Sequence, residues 1–269
     1  NFSLTVTKAG TGSGTVTSAP VGVSCGEDCG ETYTIGTSVT LTAVAANDST
    51  LTGWSGACTG AGTCTVAMSE VRNVTATFAL KNFSLTVTKA GTGSGTVTSA
   101  PAGIDCGGDC TENYNVGTSV TLTAVAANDS TFTGWSGACA GTAACVVAIS
   151  EARNVTANFA LKTFALAVTR AGTGSGTVTS APAGVSCGED CSEAYTIGTS
   201  VTLTAVPAND SLFTGWSGAC TGTATCTVAM SEARNVTATF ALKTFDLTVT
   251  KAGTGSGTVT SAPVGVACG

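Results

Sequence analysis

Apolar and polar residues alternate along most of the chain. Phe2, Leu4 and Val6 are apolar, and the residues between them are Ser and Thr. A period of two is typical of a β-strand with one buried face. The same alternation predicts strands at residues 15–18, 33–35, 38–44, 50–54, 64–68 and 74–80, separated by turns rich in Gly, Pro and Asn. No window has a helical period, so the chain is predicted to be all-β.

The whole pattern repeats every 81 residues. The sequence NFSLTVTKAGTGSGTVTSAP begins at Asn1 and returns, with few changes, at Asn82, Thr163 and Thr244. A fixed, domain-sized period indicates an array of one folding unit. We therefore predict a tandem array of small, disulfide-stapled β-sandwich or β-sheet domains of six or seven strands each. The domains span residues 1–81, 82–162 and 163–243, called copies 1, 2 and 3, and residues 244–269 start a truncated fourth copy.

The cysteines recur with the same period. Each complete copy has four of the 13 cysteines, and Cys268 is left over. The twelve recurring residues are Cys25, Cys29, Cys58, Cys64, Cys106, Cys110, Cys139, Cys145, Cys187, Cys191, Cys220 and Cys226. Evenly spaced cysteines in small β-rich units predict disulfides and an oxidising, extracellular or cell-surface location. Four cysteines allow three pairings, which the sequence leaves open; we favour the local ones, Cys25–Cys29 and Cys58–Cys64 in copy 1.

Two other uses of the cysteines are less well supported. The three-residue gap in CGEDC suits half of a zinc site, but the five-residue gap in CTGAGTC does not, and the chain contains no His. A CxxC redox motif is absent.

Cys268 lies where a copy places its first cysteine and is unpaired in this segment. We interpret the chain as a stretch of a longer repeat protein, with a free or intermolecular thiol as the alternative.

Charged residues make up only 10% of the chain, and the net charge is −6. Nucleic acids and anionic membranes are bound by clustered Lys and Arg, so neither is an expected partner. No apolar run is long enough to insert into a membrane. A weakly charged β-rich surface is poorly protected against association, so self-association between identical repeats is predicted.

Two recurring sets of residues are candidates for ligand binding. Acidic residues beside the first cysteine pair could hold a weak Ca²⁺ with loop carbonyls, although solvated loop acids are the simpler interpretation: Asp28, Glu31, Asp109, Glu112, Asp190 and Glu193. One tryptophan per copy could stack on a sugar ring, although a core position beside the adjacent disulfide is the simpler interpretation: Trp54, Trp135 and Trp216. No other cofactor is expected.

The chain is not expected to be an enzyme. Without His, Ser–His and Cys–His nucleophile pairs cannot form. The Gly-rich segment at residues 10–14 is predicted to be a strand-reversing turn, since no helix follows to make a phosphate loop.

At the copy junction the buried positions change from even to odd numbers across Lys81 and Asn82 with no flexible linker. We therefore expect a stiff rod.

The second half of each complete copy resembles a known family. In copy 1 the segments VTLTA at Val39, LTGW at Leu51, TVAM at Thr65 and VTATF at Val74 are similar to the divergent internalin-type B-repeat of bacterial surface and secreted proteins. The preceding GTGSGTVTS and CGEDC segments resemble its disulfide-bearing variety. The resemblance implies a small β-rich module in tandem, used as a spacer, stalk or adhesive surface. It implies no catalytic residues.

Together these observations predict a structural segment that forms a stiff stalk or extracellular fibre of an exported bacterial protein. The alternative is an adhesin whose repeated faces bind a polysaccharide or a surface ligand by avidity.

Overall fold

The structure is a computed structural model that describes residues 1–26 and 28–268. Glu27 in copy 1 and Gly269 at the end of the predicted fourth copy lie outside the described residues. All regular structure in the described part of the chain is β-strand, which confirms the all-β prediction. Within these same residues, no helix has the length and apolar character needed to cross a membrane.

Copy 1 contains eight strands rather than the six or seven predicted. They are β1 (Phe2–Gly10), β2 (Gly14–Ala19), β3 (Ser24–Cys25), β4 (Gly30–Tyr33), β5 (Ser38–Ala45), β6 (Ser49–Gly56), β7 (Cys64–Ala67) and β8 (Arg72–Leu80). The additional strand, β3, has only two residues, too few for the alternation to reveal. The strand expected at residues 33–35 ends instead at Tyr33, and Ile35 is exposed in the following turn.

Copy 3 repeats this order, and copy 2 repeats it without a counterpart of β3 in its described residues. In copy 2 the strands are β9 (Asn82–Ala90), β10 (Gly95–Ala100), β11 (Thr111–Asn115), β12 (Ser119–Ala126), β13 (Ser130–Gly137), β14 (Cys145–Ala148) and β15 (Arg153–Leu161). In copy 3 they are β16 (Thr163–Gly172), β17 (Gly176–Ala181), β18 (Ser186–Cys187), β19 (Ser192–Thr196), β20 (Ser200–Pro207), β21 (Ser211–Gly218), β22 (Cys226–Ala229) and β23 (Arg234–Leu242). The last two short strands are β24 (Val259–Thr260) and β25 (Ala267–Cys268).

Each complete copy is a two-layer sandwich. In copy 1 the first sheet has the order β4-β1-β8-β6, and the second sheet has the order β3-β2-β5-β7. The second sheet is antiparallel throughout. In the first sheet, β1 and β8 are parallel, so the first and last strands of the copy lie side by side. Corresponding sheets form in copies 2 and 3, although the second sheet of copy 2 has three strands, in the order β10-β12-β14.

The core of each copy lies between its two sheets. In copy 1 the inward positions of the first sheet include Leu4, Val6 and Phe78, and those of the second include Val39 and Leu41. All five side chains are buried. Separate core clusters occupy the equivalent positions of copies 2 and 3. The alternation therefore identifies the buried faces of β1, β5 and β8 correctly.

The chain divides into two compact units, residues 1–161 and 162–269. The first unit contains the core clusters of copies 1 and 2. The second contains the core cluster of copy 3, followed by the start of the fourth copy. In that final segment Phe245 and Leu247 are 87% and 70% exposed.

Candidate functional site

The first cysteine pair of each copy closes a tight loop between the two sheets. Cys25 bonds Cys29, and the equivalent disulfides are Cys106–Cys110 and Cys187–Cys191. Cys25 is buried at the end of the second sheet, and the carbonyl of Cys29 accepts a hydrogen bond of 2.7 Å from the amide of Val6 in the first sheet. The disulfide loop therefore joins the edges of both sheets. Of the three pairings that the sequence leaves open, the structure contains the local ones.

The loop that the second cysteine pair closes accepts hydrogen bonds from the tryptophan of each copy. Cys58 bonds Cys64, and the equivalent disulfides are Cys139–Cys145 and Cys220–Cys226. The backbone amide of Trp54 donates to Gly60 O at 2.6 Å, and its indole Nε1 donates to Gly62 O at 2.8 Å. Both acceptors lie in the loop that the disulfide closes. The loop thus satisfies the only polar group of a side chain that is otherwise buried.

The tryptophans have no face free for a sugar. Trp54 and Trp135 are each 5% exposed and Trp216 is 6% exposed, and all three belong to the core clusters. A ring must be exposed to stack on a carbohydrate, so the glycan-stacking interpretation is wrong and the core interpretation holds. The physical reason is size: a copy of 81 residues has few large side chains, and burying one indole removes much apolar surface from water.

An aromatic contact in copies 2 and 3 was not anticipated from the sequence. Phe132 packs edge-on against Trp135 with ring centroids 5.0 Å apart, and Phe213 does the same against Trp216 at 4.9 Å. Copy 1 has Leu51 at this position, partly buried against the same core. The signal was present in the sequence as an aromatic residue three positions before the tryptophan.

The candidate calcium residues form local hydrogen bonds. An oxygen of Asp28 accepts from the amide of Gly30 at 3.0 Å, and Asp109 and Asp190 make the same turn. An oxygen of Glu31 accepts from the amide of Thr32 at 2.6 Å, and Glu112 and Glu193 repeat this contact. Within residues 1–26 and 28–268, no group of three or more His, Cys, Asp or Glu side chains is placed to hold a metal ion. These acids have a structural use that requires no metal.

Sequence reasoning missed a hydroxyl network at the loop after β2, which contains a cis peptide bond between Ala19 and Pro20. Ser18 Oγ lies 2.8 Å from the hydroxyl of Tyr33, accepts from the amide of Val23 at 2.9 Å, and donates to the carbonyl of Pro20 at 2.8 Å. The same contacts recur around Ser99 with Tyr114 and around Ser180 with Tyr195. They fasten the loop after β2 to β4, which places the first disulfide.

A single lysine connects copy 1 with copy 2. Within the first compact unit, the amide of Lys81 donates to Asp48 O and its Nζ donates to Asn47 O, both at 2.8 Å. Its own carbonyl accepts from the amide of Val116 in copy 2 at 2.9 Å. Lys81 alone separates β8 from β9. The junction residue is therefore held by backbone hydrogen bonds on both sides.

Among solved structures, the Bacillus anthracis TIE protein is similar, with a TM-score of 0.54 and 10% identity over 90% of this chain and 50% of its own length. The chain thus spans about half of that protein, and at this identity the likeness concerns the fold alone. The major pilin of Streptococcus pyogenes gives a TM-score of 0.29 at 12% identity, covering 61% of this chain and 97% of the pilin. That score is too low to support a conclusion. No curated protein matches the chain.

The family comparison accounts for most of the chain. The divergent InlB B-repeat domain matches three times, at residues 4–82, 85–163 and 166–244. Successive matches begin 81 residues apart, which is the period of the sequence. The resemblance noted in the sequence is thereby confirmed. The chain belongs to the divergent InlB B-repeat family.

Proposed function

We propose that the chain is a structural segment of an exported bacterial protein, and that its copies form a stiff stalk or extracellular fibre. The observation that carries this proposal is the junction at Lys81. A flexible tether would need several residues free of hydrogen bonds between the two domains. Here one residue lies between β8 and β9, and its backbone N–H and C=O are bonded to copy 1 and copy 2, respectively.

The disulfides support a location outside the cytoplasm. All twelve recurring cysteines are paired within their own copies. Disulfides of this density persist in oxidising compartments and are rare where glutathione keeps thiols reduced. They also compensate for the small core of an 81-residue unit.

The residues of each copy are used to build the sandwich, which favours a structural role over chemistry. The tryptophans, tyrosines and disulfides lie in or against the cores, and the recurring acids cap local turns. The alternative of a carbohydrate-binding adhesin depended on exposed tryptophans, and these side chains are buried. A spacer requires only that identical units be stable and held in a constant relation.

Small-angle X-ray scattering of the full chain at low protein concentration tests the proposed stiffness. We expect the native chain to fit one narrow distribution of intramolecular distances. A variant with Gly-Ser-Gly-Ser-Gly inserted between Lys81 and Asn82 should give a broader distribution, because the tether separates the hydrogen bonds on the two sides of the junction.

The matched control has the same five residues inserted between Glu70 and Val71, both exposed in the turn before β8. This insertion adds the same mass but leaves Lys81 in place, so its scattering should resemble that of the native chain. If the native chain already has a broad distribution that the junction insertion leaves unchanged, the stalk proposal is wrong.

A further inference from the structure

Each complete copy has a turn that places an apolar side chain outside its core. The turn follows the strand that contains the buried tyrosine, and its apolar residue is Ile35 in copy 1, Val116 in copy 2 and Ile197 in copy 3. None of these three described residues belongs to a core cluster. Turns are usually formed by Gly, Asn, Asp, Ser and Pro, so an apolar residue in each of them needs another explanation. We call residues 34–37 and 115–118 the head turns of copies 1 and 2.

The two head turns have the same internal hydrogen bonds but different exposure. The amides of Gly36 and Gly117 donate to the carbonyl of the residue after β7 or β14, at 2.9 and 2.7 Å. In each turn the fourth amide donates to the first carbonyl, at 3.1 and 3.0 Å. Even so, Ile35 is 71% exposed, whereas Val116 is partly buried. Because the turns themselves agree, we attribute the cover on Val116 to copy 1, which precedes it within the first compact unit.

The last strand of a copy shows the converse difference. Leu80 is partly buried, whereas its counterpart Leu242 is 51% exposed and is followed by no strand before Val259 in the described residues. The two leucines are bonded alike within their copies, since the amide of each donates to a threonine Oγ1 at 3.4 Å. The side chain of Leu80 is therefore covered by the copy that follows it.

The end of a copy has the same structure whether or not a folded copy follows. Lys243 makes the two bonds within copy 3 that Lys81 makes within copy 1, from its amide and from its Nζ to two neighbouring carbonyls, all at 2.8 Å. We call Leu80 with Lys81 the tail of copy 1. Tail and head turn are thus preformed, so bringing them together costs little further ordering of either surface.

We propose that Val116 packs against the tail of copy 1 and that this apolar contact fixes the orientation of copy 2. The inference rests on the proposed stalk function and names the side chains that make the junction stiff. The single hydrogen bond there, from the Val116 amide to Lys81 O at 2.9 Å, is compatible with rotation about its own axis. A side-chain contact beside it removes that rotation. Ile35 is the same surface uncovered, and the partner it fits is the tail of another repeat.

Native-state hydrogen exchange at the Val116 amide of the full chain measures opening of this junction, because that amide bonds across it. We expect Leu80→Ala to raise the exchange rate of this amide about five- to tenfold, since the substitution removes apolar contact area. Amides of β12, in the core of copy 2, should keep their native rates. An unchanged rate at the Val116 amide would overturn the inference.

Leu242→Ala is the matched control. It removes the same side chain from an end that no folded copy covers, so it measures what the leucine contributes within its own copy. We expect the amides of β23 in this variant to be affected as those of β8 are in Leu80→Ala. If the rate at the Val116 amide rose only in proportion to the rates in β8, the leucine would act within copy 1 and the inference would be wrong.

A second pair of variants places a charge in the head turn with and without a preceding copy. Lysine is used because an acidic residue could pair with Lys81. Small-angle scattering of Val116→Lys should give a broader distribution of intramolecular distances than the native chain, because a charge buried against the tail separates the two surfaces. Ile35→Lys should scatter like the native chain. Equal distributions for the two variants would overturn the inference.

The stalk proposal and this inference fail in different ways. A broad distribution for the native chain would overturn the stalk proposal and the inference with it. A narrow native distribution that Val116→Lys leaves unchanged would overturn only the role of Val116, and the stiffness of the junction would then come from another contact.

Discussion

The first strand of the repeat occurs four times in the chain, but only three of the four form a strand. In copy 1 the sequence FSLTVTKAG forms β1, and Leu4 is 0% exposed. The nearly identical FDLTVTKAG after Thr244 forms no strand, and Leu247 is 70% exposed. In copy 1, β1 pairs with β8, which follows about 70 residues later, whereas the segment after Thr244 pairs with no strand among the residues that the structure describes. Strand propensity alone does not hold this segment in a sheet.

Each complete copy is therefore closed by the pairing of its first strand with its last strand. Their parallel pairing runs from Leu4 opposite Arg72 to Gly10 opposite Phe78. Contacts between distant parts of a chain form only after a large loss of chain entropy, which the buried core must offset. Substitutions at matched positions of copy 1 and the final segment can measure how much each contact contributes.

The largest effect is expected from truncating the buried leucine. Leu4→Ala should destabilise copy 1 by about 2–5 kcal/mol, because it leaves a cavity between the sheets. Native-state hydrogen exchange at the amides of β1 and β8 measures this loss. Leu247→Ala, at the matched exposed position, should change the exchange of the complete copies by less than about 0.5 kcal/mol. Equal effects of the two substitutions would contradict the comparison.

Removing the first disulfide should have the next largest effect. Cys25→Ala/Cys29→Ala opens a loop with a sequence separation of 4 residues. By chain entropy alone, the free energy of unfolding of copy 1 should fall by about 2 kcal/mol. Cys268 occupies the position of Cys25 but is a free cysteine. Cys268→Ala should therefore leave the denaturant midpoint unchanged. An equal fall of the midpoint in both variants would contradict the predicted contribution of the Cys25–Cys29 disulfide.

A glycine pair tests the closeness of β1 to β8. Gly10 has φ of 95°, and a Cβ atom there would overlap the carbonyl oxygen of Phe78. Gly253 has nearly the same φ, 100°, but nothing lies within 4 Å of its Cβ position. Gly10→Ala should destabilise copy 1 by about 1–3 kcal/mol, as measured by hydrogen exchange. Because Gly253 packs against nothing, Gly253→Ala should not alter any complete copy.

The smallest effect is expected at a buried hydroxyl. Ser49 is 3% exposed, and its Oγ accepts from the amide of Ser13 at 2.9 Å. Ser49→Ala leaves that amide unpaired and should cost about 1 kcal/mol. Faster exchange of the Ser13 amide, with no change at Ser94 in copy 2, is the expected signature. Unchanged exchange at Ser13 would show that another group satisfies this amide.

The alternation of side chains was sufficient to predict most of the strands and their buried faces, but it missed the two-residue strand β3 and misplaced β4. Val39 and Leu41 are buried as their odd-numbered positions require, and the change of face at Lys81 places Leu85 and Val87 in the next core. The segments VTLTA, LTGW, TVAM and VTATF were sufficient to identify the family resemblance. These features are local or repetitive, and they depend only on the pleat of an extended chain.

Which strands become neighbours was decided by the tertiary structure. Nothing in the alternation indicates that β1 pairs with β8 in parallel, or that the loop between Cys58 and Cys64 accepts the hydrogen bonds of Trp54. Each of these depends on residues brought together only when two sheets pack on one core. The sequence by itself determined the elements and their repetition, whereas their pairing followed from burying the apolar faces with every enclosed polar group bonded.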